Sequence, residues 1–430
     1  MTILTILILL TIVPACNAQS AVILVIDSFG SSCVYHDNPV TYTSGVAIPG
    51  VHLSTVDEAD GHYTLRVPVP ETEHGHSVIV TGYSDAIADT LAYYNSTIFD
   101  VLRDRGYLCL GIMETGDTDN MLDNLDIAVR EKNNSIYKPC FELIQKDKNA
   151  PDGIVDMMGS YPTLNATKAG KDPYAAYIRY DNWSLGFAAD LVDFMNSKEP
   201  DENYVLLANN GGLDEAGHTL GSDGYEAVMA GLDPGVQELI DACSRANVTL
   251  LITGDHGMSF KDSSSKGSHA SADMATRNES TLVPLLIYSA NDEVKGSGLY
   301  TQEDLAPTLL ALLDCPNTLS MCDGVSLPVK NKPSLYVRSN QPVNVTLTGQ
   351  KSSGPISVNG IYEVKGLDKG TYFIKSGDYE KTIDLRSDML VDIPEEGRTS
   401  SALPLWSAYA AAGVVSIVGI FAALKFVWRK

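Results

Sequence analysis

Aspartate and histidine residues occur in three short segments of the chain at spacings that suit metal binding. Asp214 and His218 are four residues apart in DEAGH. Asp255 and His256 are adjacent in TGDHGM, and His269 follows in the Gly/Ser-rich segment KGSHAS. A carboxylate and an imidazole four residues apart face the same side of a helical turn. Mixed oxygen and nitrogen ligands of this kind favour Zn or Mn.

A further carboxylate, Asp27, ends the apolar run AVILVID. Each of these segments alone has an ordinary explanation, because Asp-His-Gly is a common turn at the end of a strand. Their joint occurrence at successive predicted strand ends indicates a metal site.

The segments that would position these residues alternate between strand and helix patterns. Continuous apolar runs predict strands at 21–27, 107–112, 203–209, 248–255 and 282–289. Helical patterns lie at 97–106, 235–246 and 304–313. This alternation predicts an α/β fold, in which helices cover both faces of a mostly parallel sheet. Ligands bind such sheets beyond the carboxyl ends of their strands, where Asp27 and Asp255 lie.

Four segments together resemble the alkaline phosphatase superfamily over about residues 20–330: VIDSFG, TEHGHSVIVTG, DEAGHTLG and TGDHGM with GSH. The second is similar to the Ser-Glu-x-Gly-His nucleophile loop of cofactor-independent phosphoglycerate mutases, with Thr72 in place of Ser. It also keeps the spacing of nucleotide pyrophosphatase/phosphodiesterases, although Gly75 stands where those enzymes carry Asn. The Cys/Ser-x-Pro-x-Arg segment of sulfatases is not found, which disfavours a sulfatase.

The resemblance implies roles for the candidate residues around two divalent cations, Zn or Mn. The implied ligands of the first cation are Asp27, Thr72, Asp255 and His256. The implied ligands of the second are Asp214, His218 and His269. Thr72 is implied as the nucleophile, activated by the first cation. His76 either orients the substrate or makes a structural hydrogen bond in the loop.

The function expected from these residues is hydrolysis of phosphate mono- or diesters through a phospho-threonine intermediate, with a small phosphorylated molecule as substrate. A phosphoglycerate-mutase-like phosphotransferase is one alternative. Mutases of that type hold their substrate with an Arg-rich second domain, whereas residues 114–180 contain only Arg130 and Arg179. A non-catalytic cell-surface binding protein on a phosphatase scaffold is the other alternative.

Both ends of the chain carry targeting patterns. Residues 1–18 read as a signal peptide with an apolar stretch before Ala18; a retained anchor is the alternative, although the stretch is short for one. Residues 405–424 are uncharged and long enough for a transmembrane helix. The basic residues of 425–430 predict a cytoplasmic tail, so the expected location is the cell membrane, single-pass, with the N-terminal domain outside.

Between these ends the chain divides into regions of different composition. Residues 19–332 form the predicted metalloenzyme domain, in which 114–180 is either an insert near the site or a surface loop. Residues 333–393 contain six short alternating segments, which predict a small β-sandwich. Residues 394–404 read as a linker.

The cysteines and the glycosylation sequences agree with a location outside the cell, and the charge bears on the partners. The formal net charge is −24, which excludes nucleic acid as an expected partner because phosphate backbones attract basic residues. Cys315 and Cys322 flank a short loop and are the predicted disulfide pair. Seven Asn-x-Ser/Thr sequences predict N-linked glycans: Asn95, Asn133, Asn165, Asn182, Asn247, Asn278 and Asn344.

Overall fold

The structure is a computed structural model. It describes residues 19–35, 40–51, 53–114, 119–133, 135–161, 172–289, 294–350 and 353–394. The predicted signal peptide (1–18), transmembrane helix (405–424) and cytoplasmic tail (425–430) lie outside the described residues. Across the described residues, no helix combines the length and apolar character that a membrane span needs.

The chain divides into two compact units. The first comprises the residues up to Pro333 together with Arg386–Met389. The second comprises Ser334–Leu385 and the residues from Leu390 onward. All of the predicted metal ligands belong to the first unit.

The described part of the first unit contains eleven strands. They are β1 (Ala21–Ile26), β2 (Val40–Thr41), β3 (Ala47–Ile48), β4 (Gly61–Arg66), β5 (Leu108–Met113), β6 (Ile127–Glu131), β7 (Phe141–Gln145), β8 (Tyr204–Asn210), β9 (Thr249–Thr253), β10 (Leu282–Tyr288) and β11 (Gly296–Thr301). Strands β2 and β3 pair with each other, and the others form one sheet in the order β11-β4-β10-β9-β1-β8-β5-β6-β7.

The large sheet is mixed, with a parallel centre. Strands β9, β1, β8, β5 and β6 run parallel to one another. The prediction that 282–289 is one more parallel strand is wrong, because β10 runs antiparallel to both β9 and β4. A parallel strand requires a crossover that returns the chain to the other end of the sheet. The segment between β9 and β10 contains no crossover helix, so β10 begins at the edge of the sheet where β9 ends.

Helices lie on both faces of this sheet. They are α1 (Ser31–Val34), α2 (Thr72–Thr81), α3 (Ile98–Arg103), α4 (Asp119–Asp123), α5 (Asp152–Ser160), α6 (Pro173–Lys198), α7 (Gly212–Ala246), α8 (Asn278–Thr281) and α9 (Leu305–Leu312). Short 3-10 turns are present at Ser54–Glu58, Ala88–Ala92 and Gln302–Asp304. The predicted helix at 235–246 is the C-terminal part of the much longer α7.

Two hydrophobic cores explain why the central strands are apolar throughout. Val22 and Leu24 of β1 point into the core that contains α6 and α7. Ile23 and Val25 point into the opposite core, which contains α2, α3 and α9. Successive side chains of a strand face opposite sides, so a strand buried on both faces has no polar alternation. The predicted α/β fold with two covered faces is confirmed.

The described residues of the 114–180 segment lie mostly in helices and strands. Strand β6 pairs with β5 in parallel, and β7 pairs with β6 antiparallel at the edge of the large sheet. Helices α4 and α5 and the start of α6 complete the described part of this segment. The segment therefore extends the sheet on the side of β5.

The described part of the second unit forms one five-stranded antiparallel sheet rather than the predicted six-stranded sandwich. Its strands are β12 (Leu335–Thr348), β13 (Ser353–Val364), β14 (Gly370–Ser376), β15 (Tyr379–Leu385) and β16 (Met389–Asp392). The pairing of β12 shifts between Ser339 and Val343, so a bulge joins two predicted short strands. Gly360 has a φ of 81° and similarly lets β13 continue through another predicted break.

The predicted disulfide between Cys315 and Cys322 is wrong, because both residues are thiols. Cys315 is buried, and its Sγ donates to Leu313 O at 3.4 Å. The Sγ of Cys322 donates to Gly324 O at 3.5 Å. Proximity in sequence did not bring the two sulfur atoms together, because each faces the backbone of its own turn.

Candidate active site

The predicted metal ligands lie at one edge of the large sheet. Asp27 directly follows β1, and Asp255 and His256 closely follow β9. Asp214 is the third residue of α7, which begins after β8. Strands β8 and β9 are the two parallel neighbours of β1. Their carboxyl ends therefore bring these side chains together.

Thr72 reaches the same edge as the first residue of α2. Pro68 and Pro70 favour an extended chain before the helix, and Gly82 ends the helix in a left-handed conformation. The hydroxyl of Thr72 therefore lies at a helix N-terminus, where unpaired backbone N–H groups and the helix dipole favour negative charge.

The first group of candidate ligands surrounds the Nε2 atom of His256. This atom lies 3.4 Å from Asp27 Oδ1, 3.4 Å from Asp255 Oδ2 and 3.2 Å from Thr72 Oγ1. The candidate ligand atoms of Asp27, Asp255 and His256 lie within 4.8 Å of one another. All four residues implied for the first cation are therefore adjacent in space.

The second group surrounds Oδ1 of Asp214. This oxygen lies 3.4 Å from His218 Nε2 and 3.7 Å from His269 Nε2. The ring of His269 stacks on that of His256, with ring centroids 3.7 Å apart. Asp214, His256 and His269 also offer ligand atoms within 4.8 Å of one another, so His256 belongs to both groups. The seven residues thus form one continuous centre.

The three histidines are held in the tautomer that metal binding requires. In each ring Nδ1 contacts a backbone carbonyl, which can only accept a hydrogen bond, so Nδ1 carries the proton and Nε2 offers a lone pair. These contacts are His218 to Gly267 O at 3.1 Å, His256 to Gly257 O at 3.1 Å and His269 to Pro70 O at 2.6 Å. Outer hydrogen bonds of this kind orient the histidine ligands of metal sites.

Asp255 provides an independent test of whether a cation fits. Its Oδ1 accepts hydrogen bonds from the backbone N–H groups of Ser28 and His256, at 3.1 and 2.8 Å. Its Oδ2 is fully buried and has no hydrogen-bond partner among the described residues. A buried carboxylate oxygen without a donor is costly unless a cation binds it. Burial also lowers the pKa of His269, which keeps its imidazole neutral as a ligand must be.

Ser28 is a site residue that the sequence patterns did not reveal. Its Oγ donates to Asp214 Oδ1 at 2.5 Å, and its backbone N–H contacts Asp255. Its φ of 65° is in the left-handed region, which turns the chain sharply after Asp27. Ser28 therefore links the two ligand groups. The sequence feature that could have pointed to Ser28 is its position directly after Asp27, at the end of β1.

His76 lies behind Thr72 rather than in front of it. It is 3% exposed, and its Nδ1 donates to the carbonyl of Thr72 at 2.9 Å. Its Nε2 contacts the amide nitrogen of Asn209. His76 does not line the cavity described next. Of the two roles expected for His76, the structure therefore supports the structural hydrogen bond in the loop and not the orientation of a substrate.

A cavity of about 540 Å³ opens in front of Thr72. Its lining includes three tyrosines and residues from the 114–180 segment, none of which the sequence patterns singled out. The lining residues are Asp27, Thr72, Glu73, Glu114, Ser135, Ile136, Tyr137, Tyr177, Tyr180, Asn209, Gly211, Gly212, Asp214 and Glu215. A molecule in this cavity would contact Thr72 and residues of both ligand groups.

Comparisons with known proteins agree with this centre. A family model described as Sulfatase matches residues 222–315, which include Asp255, His256 and His269 but not Thr72. A 2,3-bisphosphoglycerate-independent phosphoglycerate mutase of Shewanella sediminis is 28% identical over 127 residues, covering 29% of this chain. Both matches are to families of the alkaline phosphatase superfamily, which the chain therefore resembles. The match covers 24% of that mutase, so the chain spans about a quarter of the length of the curated relative.

Solved structures similar to this chain include a candidate sulfatase from Bacteroides fragilis, with a TM-score of 0.49 and 14% identity. That similarity covers 85% of this chain and 89% of the other. TAB5 alkaline phosphatase with Mg bound has a TM-score of 0.44 and 12% identity, covering 69% of this chain and 98% of the other.

Gly75 explains one departure of this chain from the phosphodiesterase pattern. A Cβ atom at Gly75 would lie 2.4 Å from the backbone oxygen of Asp255. Helix α2 therefore packs directly on the loop of Asp255, and the Asn found there in the phosphodiesterases does not fit.

Gly75→Ala is consequently expected to separate Thr72 from His256 and to lower the stability by roughly 1–3 kcal/mol through overpacking. Thermal unfolding and the hydrolysis rate measure the two effects. Gly354→Ala is the matched control, because nothing lies within 4 Å of a Cβ there. Equal behaviour of the two variants would contradict the close packing.

Asp181 holds the start of α7 in place. It is fully buried on α6, and its Oδ1 accepts a hydrogen bond from Gly212 N at 3.0 Å, two residues before Asp214. Burial raises the pKa of Asp181 to about 7. The unfolded chain releases this proton near pH 3.9. The stabilisation from the raised pKa is therefore present below about pH 4 and lost as the pH rises through 7.

Asp181→Asn keeps the acceptor and stays neutral, so it is expected to unfold roughly 3–6 °C above the wild type at pH 8. The difference should shrink at pH 5, where wild-type Asp181 is protonated. Scanning calorimetry at both pH values measures this, with Asp85→Asn on the exposed surface as control. A difference that does not depend on pH would contradict the raised pKa.

Proposed function

We propose that this protein hydrolyses phosphate mono- or diesters, with Thr72 as the nucleophile and two divalent cations, Zn or Mn, as cofactors. The observation that carries the proposal is the position of Thr72 Oγ1, 3.2 Å from His256 Nε2 at the N-terminus of α2 and at the wall of the cavity. A hydroxyl is a poor nucleophile unless its surroundings favour the alkoxide. Here a helix N-terminus and a candidate cation site both do so.

The residues that would hold the cations are the two groups around His256 and Asp214. When bound, the cations would supply the positive charge that lowers the pKa of a hydroxyl and neutralises phosphoryl oxygens. The fit rests on the inward Nε2 atoms of the three histidines and on the buried Oδ2 of Asp255.

The chain's own residues orient the reaction. Thr72 Oγ1 lies 3.2 Å from His256 Nε2, within the first ligand group, where a bound cation would favour loss of its hydroxyl proton to solvent. Oγ1 of Thr72 then attacks phosphorus, and the bond from phosphorus to the leaving oxygen breaks. The leaving oxygen takes the electron pair and a proton. Water next attacks the phospho-threonine, which releases phosphate from a monoester and restores the Thr72 hydroxyl.

Two other reactions of the superfamily are alternatives, each favoured by one comparison. The Sulfatase match favours sulfate esters, but it does not include the segment of Thr72. The mutase relative favours phosphoryl transfer to a second hydroxyl. Against transfer on phosphoglycerate, none of the described residues lining the cavity is Lys or Arg. An anionic sugar acid would therefore lack a counter-charge beyond the cations.

A set of chromogenic esters tests the proposal. The protein loaded with Zn or Mn is given p-nitrophenyl phosphate, bis-p-nitrophenyl phosphate and p-nitrophenyl sulfate, and both nitrophenol and inorganic phosphate are measured. Release of nitrophenol from a phosphate ester is expected. Hydrolysis of the sulfate alone would establish a sulfatase. Phosphate release that falls when phosphoglycerate is added would indicate a phosphotransferase, and no hydrolysis of any ester would leave the non-catalytic binding protein.

We also propose that the protein is anchored in the cell membrane by residues 405–424, with the catalytic unit outside and carrying N-linked glycans. Asn247, Asn278 and Asn344 are exposed and accessible to such modification. Asn182 is different, because its Nδ2 donates to Gly231 O at 3.1 Å between α6 and α7. A glycan on that nitrogen would prevent the two helices from packing.

Peptide mapping of the secreted or membrane-bound protein is therefore expected to find glycans on Asn247, Asn278 and Asn344 and an unmodified Asn182. Glycans on these exposed sites would show that the protein passed through a compartment that attaches glycans, so they serve as internal controls. A glycan on Asn182 in folded protein would contradict the packing of α6 on α7. Absence of glycans from every site, in a host that attaches them, would contradict the proposed location.

A further inference from the structure

The cavity in front of Thr72 has a one-sided charge. Five carboxylates line it: Asp27, Glu73, Glu114, Asp214 and Glu215. No Lys or Arg is among its described lining residues. The cavity opens on the metal centre, where the buried Oδ2 of Asp255 independently points to a bound cation. The cavity wall therefore carries more carboxylates than the two ligand groups contribute.

Two of the five carboxylates, Asp27 and Asp214, belong to the ligand groups. The three glutamates do not, so their charge remains when the cations are bound. Glu114 is buried and accepts a hydrogen bond from Gly211 N at 2.6 Å, which fixes its carboxyl group at the cavity wall. Glu73 and Glu215 are exposed to the cavity solvent. These carboxylates repel an anionic leaving group and attract a cationic one.

Aromatic rings complete the wall. Tyr137, Tyr177 and Tyr180 line the same cavity. Tyr177 is buried and held in place by a contact of its hydroxyl with Thr219 Oγ1 at 3.1 Å. Burial, and to a lesser degree Glu215, raises the pKa of Tyr177, so its ring stays neutral. Neutral aromatic rings beside carboxylates are the surroundings that favour ammonium and quaternary ammonium groups.

We infer that the leaving group of the phosphate ester carries a positive charge, as an amine or a quaternary ammonium. The phosphoryl group would lie at Thr72, and the cationic end would lie against the glutamates and tyrosines. This inference rests on the proposed phosphate ester hydrolysis and specifies its substrate class. It excludes phosphorylated sugar acids, whose carboxylate would face Glu215.

Two esters that differ only in charge test the inference. Choline phosphate carries a quaternary ammonium, and 3,3-dimethylbutyl phosphate has the same shape with a neutral carbon in place of nitrogen. The protein loaded with Zn or Mn is expected to hydrolyse the charged ester with a kcat/KM about tenfold higher than the neutral ester. The ratio should fall as salt is added, because salt screens the glutamates.

Variants of the cavity wall locate the preference. Glu215→Gln is expected to reduce the charged-to-neutral ratio several-fold, and Glu73→Gln provides a second test if the first variant does not fold. Glu238→Gln, on the exposed surface of α7, is the matched control and should leave the ratio unchanged. A ratio unaffected by both cavity variants would overturn the role of this wall.

The outcomes separate the inference from the proposed function. Hydrolysis of p-nitrophenyl phosphate together with a wild-type ratio of one or less would overturn the cationic leaving group and leave the hydrolase standing. Failure to hydrolyse p-nitrophenyl phosphate or either alkyl phosphate would overturn both. A charged-to-neutral ratio of about ten in the wild type that falls in Glu215→Gln would support both the inference and the proposed function.

Discussion

Thr72→Ala is expected to reduce phosphate ester hydrolysis by about a thousandfold or more while leaving the fold intact. The expectation follows from the position of Thr72 as the one hydroxyl that contacts His256 Nε2 at the cavity wall among the described residues. Loss of a covalent nucleophile typically costs this much or more. Thr72→Ser keeps a hydroxyl at the same place and should retain part of the activity.

Steady-state rates with p-nitrophenyl phosphate measure the loss, and mass spectrometry of acid-quenched protein should find a phosphate on Thr72. Thr371→Ala, the same truncation at an exposed position of β14, is the control for a general effect of the substitution. Wild-type turnover by Thr72→Ala, with metal content unchanged, would show that water attacks the ester directly and that Thr72 is only a neighbour.

The second large effect is expected from Asp255→Asn. The amide oxygen can still accept the hydrogen bonds of Ser28 and His256, so the loop should keep its conformation. The amide nitrogen replaces the buried Oδ2, which faces His256 Nε2 at 3.4 Å. A neutral NH₂ group cannot bind a cation. The variant is therefore expected to bind about one cation instead of two, and to lose about a thousandfold in activity.

Metal content by elemental analysis and thermal unfolding with and without a chelator check this expectation. The wild type should unfold at a lower temperature after chelation, because Asp27 and Asp255 then repel each other without a counter-charge. Asp255→Asn should show a smaller change. Asp201→Asn, an exposed aspartate, is the control. Two bound cations and wild-type activity in Asp255→Asn would contradict the assignment of the first group.

Local patterns in the sequence predicted the elements that position the site. The apolar runs before Asp27 and Asp255 are strands β1 and β9, because a strand covered on both faces needs no polar side chains. The DEAGH spacing put Asp214 and His218 on one side of α7 for the same local reason. The resemblance to the superfamily also followed from these short segments, since each motif is contiguous in the chain.

The tertiary structure alone decided which of these side chains meet. Ser28 joins Asp214 across 186 residues and His256 across 228, and no local pattern reports such a contact. The antiparallel direction of β10, the burial of His76 behind Thr72 and the separation of Cys315 from Cys322 were likewise not encoded in spacing.

The acidic, tyrosine-lined cavity depends on long-range packing in the same way. Helix α6 contributes Tyr177 and Tyr180, and the hairpin between β6 and β7 contributes Tyr137. The physical reason is that backbone periodicity and burial are local properties of a segment. The charge and shape of a cavity are sums over segments that meet only in the folded chain. The sequence by itself therefore determined the chemistry available to this protein, and the fold determined what that chemistry faces.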